Sequence, residues 1–207
     1  MLVILSLSLS VLPAVVLYQS VSEATTELHF TLRYFSLALS LGAGFLLYGL
    51  TLIFVVPAIN FLLPFKVKPF RGIWFSLESI PWYYHNGLAY IVRYTFLEFI
   101  TPSPLNILYF KMMGMKIGKG VVINTSHISD PCLITLEDHV TIGGSVTMFA
   151  HYGQKGYLIV SPVHIGKGTT IGLKASVMGG VRVGANQMIS PHTALLPKTE
   201  IPDSKSA

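Results

Sequence analysis

From Ile165 onward an aliphatic residue returns every six positions: Ile165, Ile171, Val177, Val183, Ile189 and Leu195. The next residue is often small, as at Gly166, Gly172, Gly184 and Ser190. The fourth residue after each aliphatic is of modest size, as at Thr169, Ala175, Val181, Gln187, Thr193 and Thr199. A period of six matches neither the 3.6-residue repeat of an amphipathic helix nor the two-residue repeat of a strand. It predicts a β-solenoid, in which each hexapeptide makes one short face and three faces close a coil. Upstream, Ile117 and Ile123 begin the same phase, which slips around Ser129-Asp130-Pro131 and resumes at Leu136, Ile142 and Met148. A turn or bulge is expected at the slip. Met148 and Ile165 are 17 positions apart, out of register with the sixfold repeat, which predicts a loop leaving the coil. Three hexapeptides per coil give about four to five coils. The open ends of such a solenoid need covering, and the helices before it are assigned to one of them.

The first 110 residues follow a different pattern. Residues 2–22 carry no charge and are long enough for one span of about 20 residues. No Lys or Arg precedes this run and no clean A-x-A follows it, so it reads as a retained span rather than a cleaved signal peptide. A second uncharged run of 32 residues lies between Arg33 and Lys66 and predicts another transmembrane helix, tilted or broken near Pro57. Within it, Ser40 and Gly44 are spaced to admit a close helix neighbour, or reflect the ordinary tolerance of glycine in lipid. The loop between the spans holds Glu23 and Glu27, whereas Lys66, Lys68 and Arg71 follow the second span. The positive-inside rule then places the N-terminus and the solenoid on the cytoplasmic side.

Residues 72–110 are rich in Trp, Tyr and Phe, interrupted by Glu78, His85, Arg93 and Glu98. They read as one or two interfacial helices, with a re-entrant pair as the alternative. Thr101-Pro102-Ser103-Pro104 breaks the pattern, and a helix is expected over Leu105–Met113. The expected organisation is therefore two transmembrane helices (1–70), interfacial or linker helices (71–113) and an all-β parallel β-helix (114–207).

Composition sharpens this picture. The chain has 207 residues, of which 52% are hydrophobic and 11% charged, with a mean hydropathy of +0.62. The usual charged share is about a quarter. The net charge of +5 is spread along the chain, and no basic block points to nucleic acid. A single cysteine, Cys132, rules out an internal disulfide and agrees with a reducing compartment.

The hexapeptide spacing, with PVHIGKGTTIG and the closing LLPKTEIP, resembles the hexapeptide-repeat acyltransferase superfamily of left-handed parallel β-helices over residues 114–202. The segments KMMGMKIGKGVVINT and MFAHYGQKG are also similar to the membrane-linked terminal domains of ε-poly-lysine-synthase-type peptide synthetases. The resemblance implies a homotrimer that moves an acyl group from a thioester, acyl-CoA or a carrier protein, to a hydroxyl or amine, with no metal required. It implies that His151, on the loop before the last coils, is the general base. Lys198 matches a lysine of the closing pattern that lies near the cofactor. Gly172, Ala175 and Ser190 are small enough to form the wall along which a pantetheine arm would lie, and Lys167 and Lys174 are weaker phosphate partners. The membrane half implies a lipid-linked or cell-envelope acceptor at a cell membrane, the bacterial inner membrane.

The chemistry asks little of the protein, because the thioester carries the activated group. A base must take the acceptor's proton, and histidine titrates near neutrality. The other histidines have plainer readings: His29 and His85 lie in the membrane half, and His127, His139, His164 and His192 lie in or beside repeats. His139 is the next candidate, as a group orienting the acceptor. Asp130 and Asp138 could orient a histidine, but each sits where a turn is expected, and turn formation is the preferred reading. Two other functions share the fold. A zinc enzyme of the γ-carbonic-anhydrase type would use an H-x-x-x-x-H pair that this chain lacks, and His127, His139 and His151, twelve apart, fall on different faces. A non-enzymatic trimeric membrane scaffold is the other.

Overall fold

The computed structural model of the protein describes residues 1–204 and divides into two compact units, Met1–Ile59 and Asn60–Ala207. The first unit is built from helix α1 (Leu2–Ala24) and most of helix α2 (Phe30–Leu62). Both are long and apolar enough to cross a membrane by length and composition. Helix α2 runs unbroken through Pro57, so the expected break is absent. Its 33 residues would reach about 50 Å, well beyond the ~30 Å of a hydrocarbon core. Gly44 is a true contact point: a Cβ there would stand 3.4 Å from the Cβ of Ala14 on α1. Gly42, by contrast, has open space around it. The buried hydroxyls of Ser6 and Ser10 donate to the carbonyls of Leu2 and Ser6, which satisfies them inside the helix.

The second unit begins as α2 ends. Lys66 folds back and its Nζ donates to the carbonyl oxygens of Asn60 (3.0 Å) and Phe61 (2.8 Å), capping that terminus with a positive charge. Strand β1 (Phe70–Ile73) follows, then helix α3 (Ile80–Thr95) and helix α4 (Pro104–Met112). Helix α3 is two-faced. Trp82, His85, Asn86, Leu88, Ala89 and Val92 are buried, while Tyr83, Tyr84, Tyr90 and Tyr94 are exposed. Helix α4 starts at Ser103, whose hydroxyl accepts the Leu105 N–H, with Pro104 at the first helical position.

The solenoid then winds coil by coil. The first coil holds β2 (Lys116–Ile117), β3 (Val122–Ile123) and β4 (Ile128–Ser129), and the second β5 (Ile134–Leu136), β6 (Thr141–Ile142) and β7 (Thr147–Phe149). A hairpin, β8 (His151–Gln154) and β9 (Tyr157–Val160), leaves the coil next. The third coil holds β10 (Val163–Ile165), β11 (Thr170–Ile171) and β12 (Ser176–Val177), and the fourth β13 (Arg182–Val183), β14 (Met188–Ile189) and β15 (Ala194–Leu195). Strand β16 (Glu200–Ile201) opens a fifth. These strands form three parallel sheets, ordered β16-β13-β10-β5-β2, β14-β11-β6-β3 and β15-β12-β7-β4. The sixfold aliphatics stack in columns inside, as in Ile123, Ile142, Ile171 and Ile189. The architecture is therefore a three-sided parallel β-helix, with a core that is a stack of aliphatic layers about 4.8 Å apart.

The two places where the period fails lie at the same corner of successive coils. At the slip, Ile128 rather than Ser129 pairs with Met148, and the chain then turns through Asp130 and a short 3₁₀ segment, Pro131–Leu133. One coil later the chain departs from β7 into the hairpin. Its turn, Lys155-Gly156, has positive φ at both residues (51° and 80°), as a type I′ hairpin requires. The expected loop is thus an ordered antiparallel sheet, β1-β9-β8, in which β1 supplies the third strand. Its inner side packs with Trp82 of α3 around Leu158 and Val160. At the open end, Asn106 of α4 donates to the Ile123 carbonyl (2.8 Å), and Tyr109, Phe110, Met113 and Met115 are buried.

Candidate active site

Asp130 is the centre of the site. It takes a left-handed conformation (φ 56°), which Asp tolerates better than most side chains, and its carboxylate is fully buried. An unpaired carboxylate at that depth would cost several kcal/mol. Here both oxygens are occupied. Oδ2 lies 2.5 Å from Nδ1 of His151 and accepts the Ala150 N–H at 3.1 Å. Oδ1 accepts from Nδ2 of Asn86 at 2.6 Å. Asn86 in turn donates to the Trp82 carbonyl at 3.1 Å, so helix α3 holds the carboxylate in place.

The consequence for His151 follows from this bonding. A carboxylate only accepts, so Nδ1 carries the hydrogen, and in the neutral ring the lone pair is then on Nε2. The ring is held edge-on by Trp82 (centroids 4.9 Å apart) and tilted against Phe149 (5.6 Å). Its side chain is 19% exposed, enough to meet a substrate. It lines a groove of about 490 Å³ whose walls include Trp74, Phe149, Gly153, Met178 and Pro197. Gly179 of the third coil lies against the backbone here: a Cβ on it would stand 3.0 Å from the carbonyl carbon of Ala150 and the nitrogen of His151, a tight contact. The arrangement is an oriented imidazole beside a largely apolar groove, and such a group can take a proton from a hydroxyl or amine.

The other expected site residues are dispersed. Lys198 sits at a left-handed corner (φ 62°) beside the hairpin, next to the groove residue Pro197. Gly172 and Ser190 lie at a different corner of the solenoid, following β11 and β14. A Cβ on Gly172 would meet backbone of the next coil at 2.6 Å, and Ser190 is exposed. Ala175 is fully buried in the solenoid interior and presents no surface to a ligand. His139 and His192 occupy exposed left-handed corners, and His164 pairs with Glu137 at 3.1 Å. Among the described residues no three His, Cys, Asp or Glu side chains converge on a metal-binding position.

Asp130 fits both of its sequence readings: it forms the turn, and the same conformation brings its carboxylate to His151. Asn86, Trp82 and Trp74 gave no separate signal, since they read as part of an aromatic, membrane-facing stretch. Cys132, two residues from Asp130, is no rival nucleophile: burial, reinforced by the Asp130 charge, pushes its thiol up to about 12.

A second buried histidine lies close by. His85 on α3 bonds through Nδ1 to Oδ1 of Asn60 (3.0 Å). Burial lowers its pKa to about 4, opposed by Asp130 and assisted by Lys66. The folded protein therefore holds His85 neutral, while the unfolded chain binds its proton near the ordinary value of about 6.5. Between these values the unfolded state carries more protons, so stability rises with pH across that window and falls as pH drops from about 6.5 towards 4. The loss is expected to reach about 2–3 kcal/mol. Chemical denaturation in detergent across this range checks it. His85→Asn should flatten the slope, and an unchanged slope would remove His85 as its cause.

No family profile matches the chain. It is similar to a δ-poly-L-ornithine synthetase of Acinetobacter baumannii, 28% identical over 106 residues. That match spans 51% of this chain and 8% of the synthetase. Solved structures similar to it include a hexapeptide-repeat acetyltransferase of Vibrio cholerae in complex with acetyl-CoA (23% identity, 45% of this chain and 58% of that one, TM-score 0.35). A maltose O-acetyltransferase of Clostridium difficile is another (15% identity, 66% and 86%, TM-score 0.45).

Proposed function

We propose that this chain is a membrane-bound acyltransferase. It moves an acyl group from a thioester, acyl-CoA or an acylated carrier protein, to a hydroxyl or amine of a lipid-linked or cell-envelope acceptor. The observation that carries the reading is the Asp130–His151 pair at the edge of the groove. In this mechanism Nε2 of His151 takes the acceptor's proton as its oxygen or nitrogen attacks the thioester carbonyl. Asp130 holds the tautomer and balances the imidazolium that forms. The proton then passes to the departing thiolate, and the acyl-acceptor bond replaces the acyl-sulfur bond.

Further features belong to the proposal. The coil is left-handed, and the working assembly is a homotrimer. Gly172 and Ser190 lie at another corner from His151, so a donor wall lined by them serves His151 only when a neighbouring copy brings that corner round. Helices α1 and α2 cross the bacterial inner membrane, with the solenoid on the cytoplasmic side, as the charges flanking α2 suggest. The aromatic exposed face of α3 suits a membrane interface.

The direct test is lipid and metabolite profiling of a deletion strain. One acylated species should disappear and return with the wild-type chain but not with His151→Ala. If both chains restore it, the base assignment fails. If no acylated species changes, the acyltransferase reading fails.

A further inference from the structure

We propose that a second groove, bordered by β1, the hairpin and Lys198, binds a phosphate-bearing part of the substrate. The inference rests on the acyltransferase reading and adds a substrate feature to it. The groove has a volume of about 520 Å³, and its lining includes Arg71, Lys155 and Lys198. It contains no carboxylate, and among the described residues none of these three cations forms an ion pair.

Each cation has a definite place in the fold. Arg71 lies on β1, and its guanidinium stacks over the Tyr157 ring with 4.6 Å to the centroid. Lys155 occupies the first position of the hairpin turn. Lys198 sits at a solenoid corner where its N–H donates to the Gly179 carbonyl (3.2 Å). Gln154 and Ser161 add neutral hydrogen-bonding groups. Three like charges gathered without a counter-charge repel one another, and an oxyanion of charge −2 relieves that better than a single carboxylate. An arginine fork beside two lysines also suits the several oxygens of a phosphate or diphosphate.

The position relates this groove to the chemistry. Gln154 lines both grooves, and Pro197 of the first is followed directly by Lys198 of the second. A substrate reacting at His151 can thus rest its charged end against the cations. Two sources would supply that phosphate: the nucleotide end of a CoA donor, or the headgroup of a lipid-linked acceptor.

The test uses the full chain in detergent or nanodiscs and measures equilibrium binding of CoA, of pantetheine, which lacks the nucleotide phosphates, and of phosphatidic acid presented in nanodiscs. Wild type should bind at least one phosphate-bearing probe, more weakly as salt rises. Arg71→Gln and Lys155→Gln should each weaken that probe by about tenfold and leave pantetheine unchanged. Arg71→Lys should retain part of the affinity, which separates lost charge from a misfolded β1. If CoA is the affected probe the phosphate belongs to the donor, and if phosphatidic acid is, to the acceptor; either supports the groove. Equal binding of both phosphate probes to wild type and the two Gln variants, or no binding of either to wild type, overturns it. His151→Ala should bind phosphate like wild type. Arg71-dependent binding without turnover would therefore count against the acyltransferase reading alone, and turnover without it against the groove alone.

Discussion

Replacing His151 by alanine is expected to lower thioester-dependent turnover by about 10²–10⁴-fold, the usual contribution of a positioned general base. The side chain is partly exposed and ends at the groove, so its removal leaves the solenoid core intact. The expectation is a fall in kcat with donor KM nearly unchanged. Thiol release from an acyl-CoA by the purified chain in detergent measures both. Turnover within twofold of wild type would eliminate His151 as the base and shift attention to another proton acceptor.

Asp130→Asn should cost nearly as much, about 10³–10⁴-fold in kcat, because an amide cannot hold the histidine in the same tautomer. The substitution preserves volume, which matters at a fully buried position. Asp130 receives hydrogen bonds from the Ala150 N–H and from Asn86 as well as from His151. Asp130→Ala would leave those buried donors without an acceptor, at about 1–3 kcal/mol each, and would confuse catalysis with stability. Asn can still accept at one position, so the informative result is a large kcat effect with the melting temperature shifted by only a few degrees. A small kcat effect in a folded variant would mean that Asp130 supports the corner and does not act through His151.

The order of the two effects follows from the local architecture. His151 lies at the groove, while the Asp130 carboxylate comes from the preceding coil and is held by Asn86 of α3. That helix contributes Trp82 against the ring and Asn86 against the carboxylate, four residues apart on one face. Its aromatic content suggested a membrane surface. Its buried stripe serves the solenoid corner instead, and its exposed tyrosines remain available for an interface.

The repeat itself was legible from the residues alone. A parallel coil stacks each inner position on its equivalent in the next coil, so the column Ile123, Ile142, Ile171 and Ile189 had to be aliphatic throughout. Such a requirement is local and repeats at fixed spacing, which is why the solenoid, the slip at Asp130 and the departure before Ile165 could be read in advance. The two apolar helices were legible for a related reason: length and absence of charge are properties of a segment by itself.

Only the tertiary structure decided that the slip and the departure share one corner. It also decided that the departing loop pairs with β1, and that the Asp130 carboxylate, not merely a turn, results from the slip. These are relations between segments that break the pattern, and broken segments carry no period from which their register can be counted. The partners also lie far apart in the chain, as Asn86 and Asp130 do, and meet only because a buried carboxylate must find donors wherever the packing supplies them. The repeat therefore specified the wall, and the docking of irregular pieces upon it specified the site.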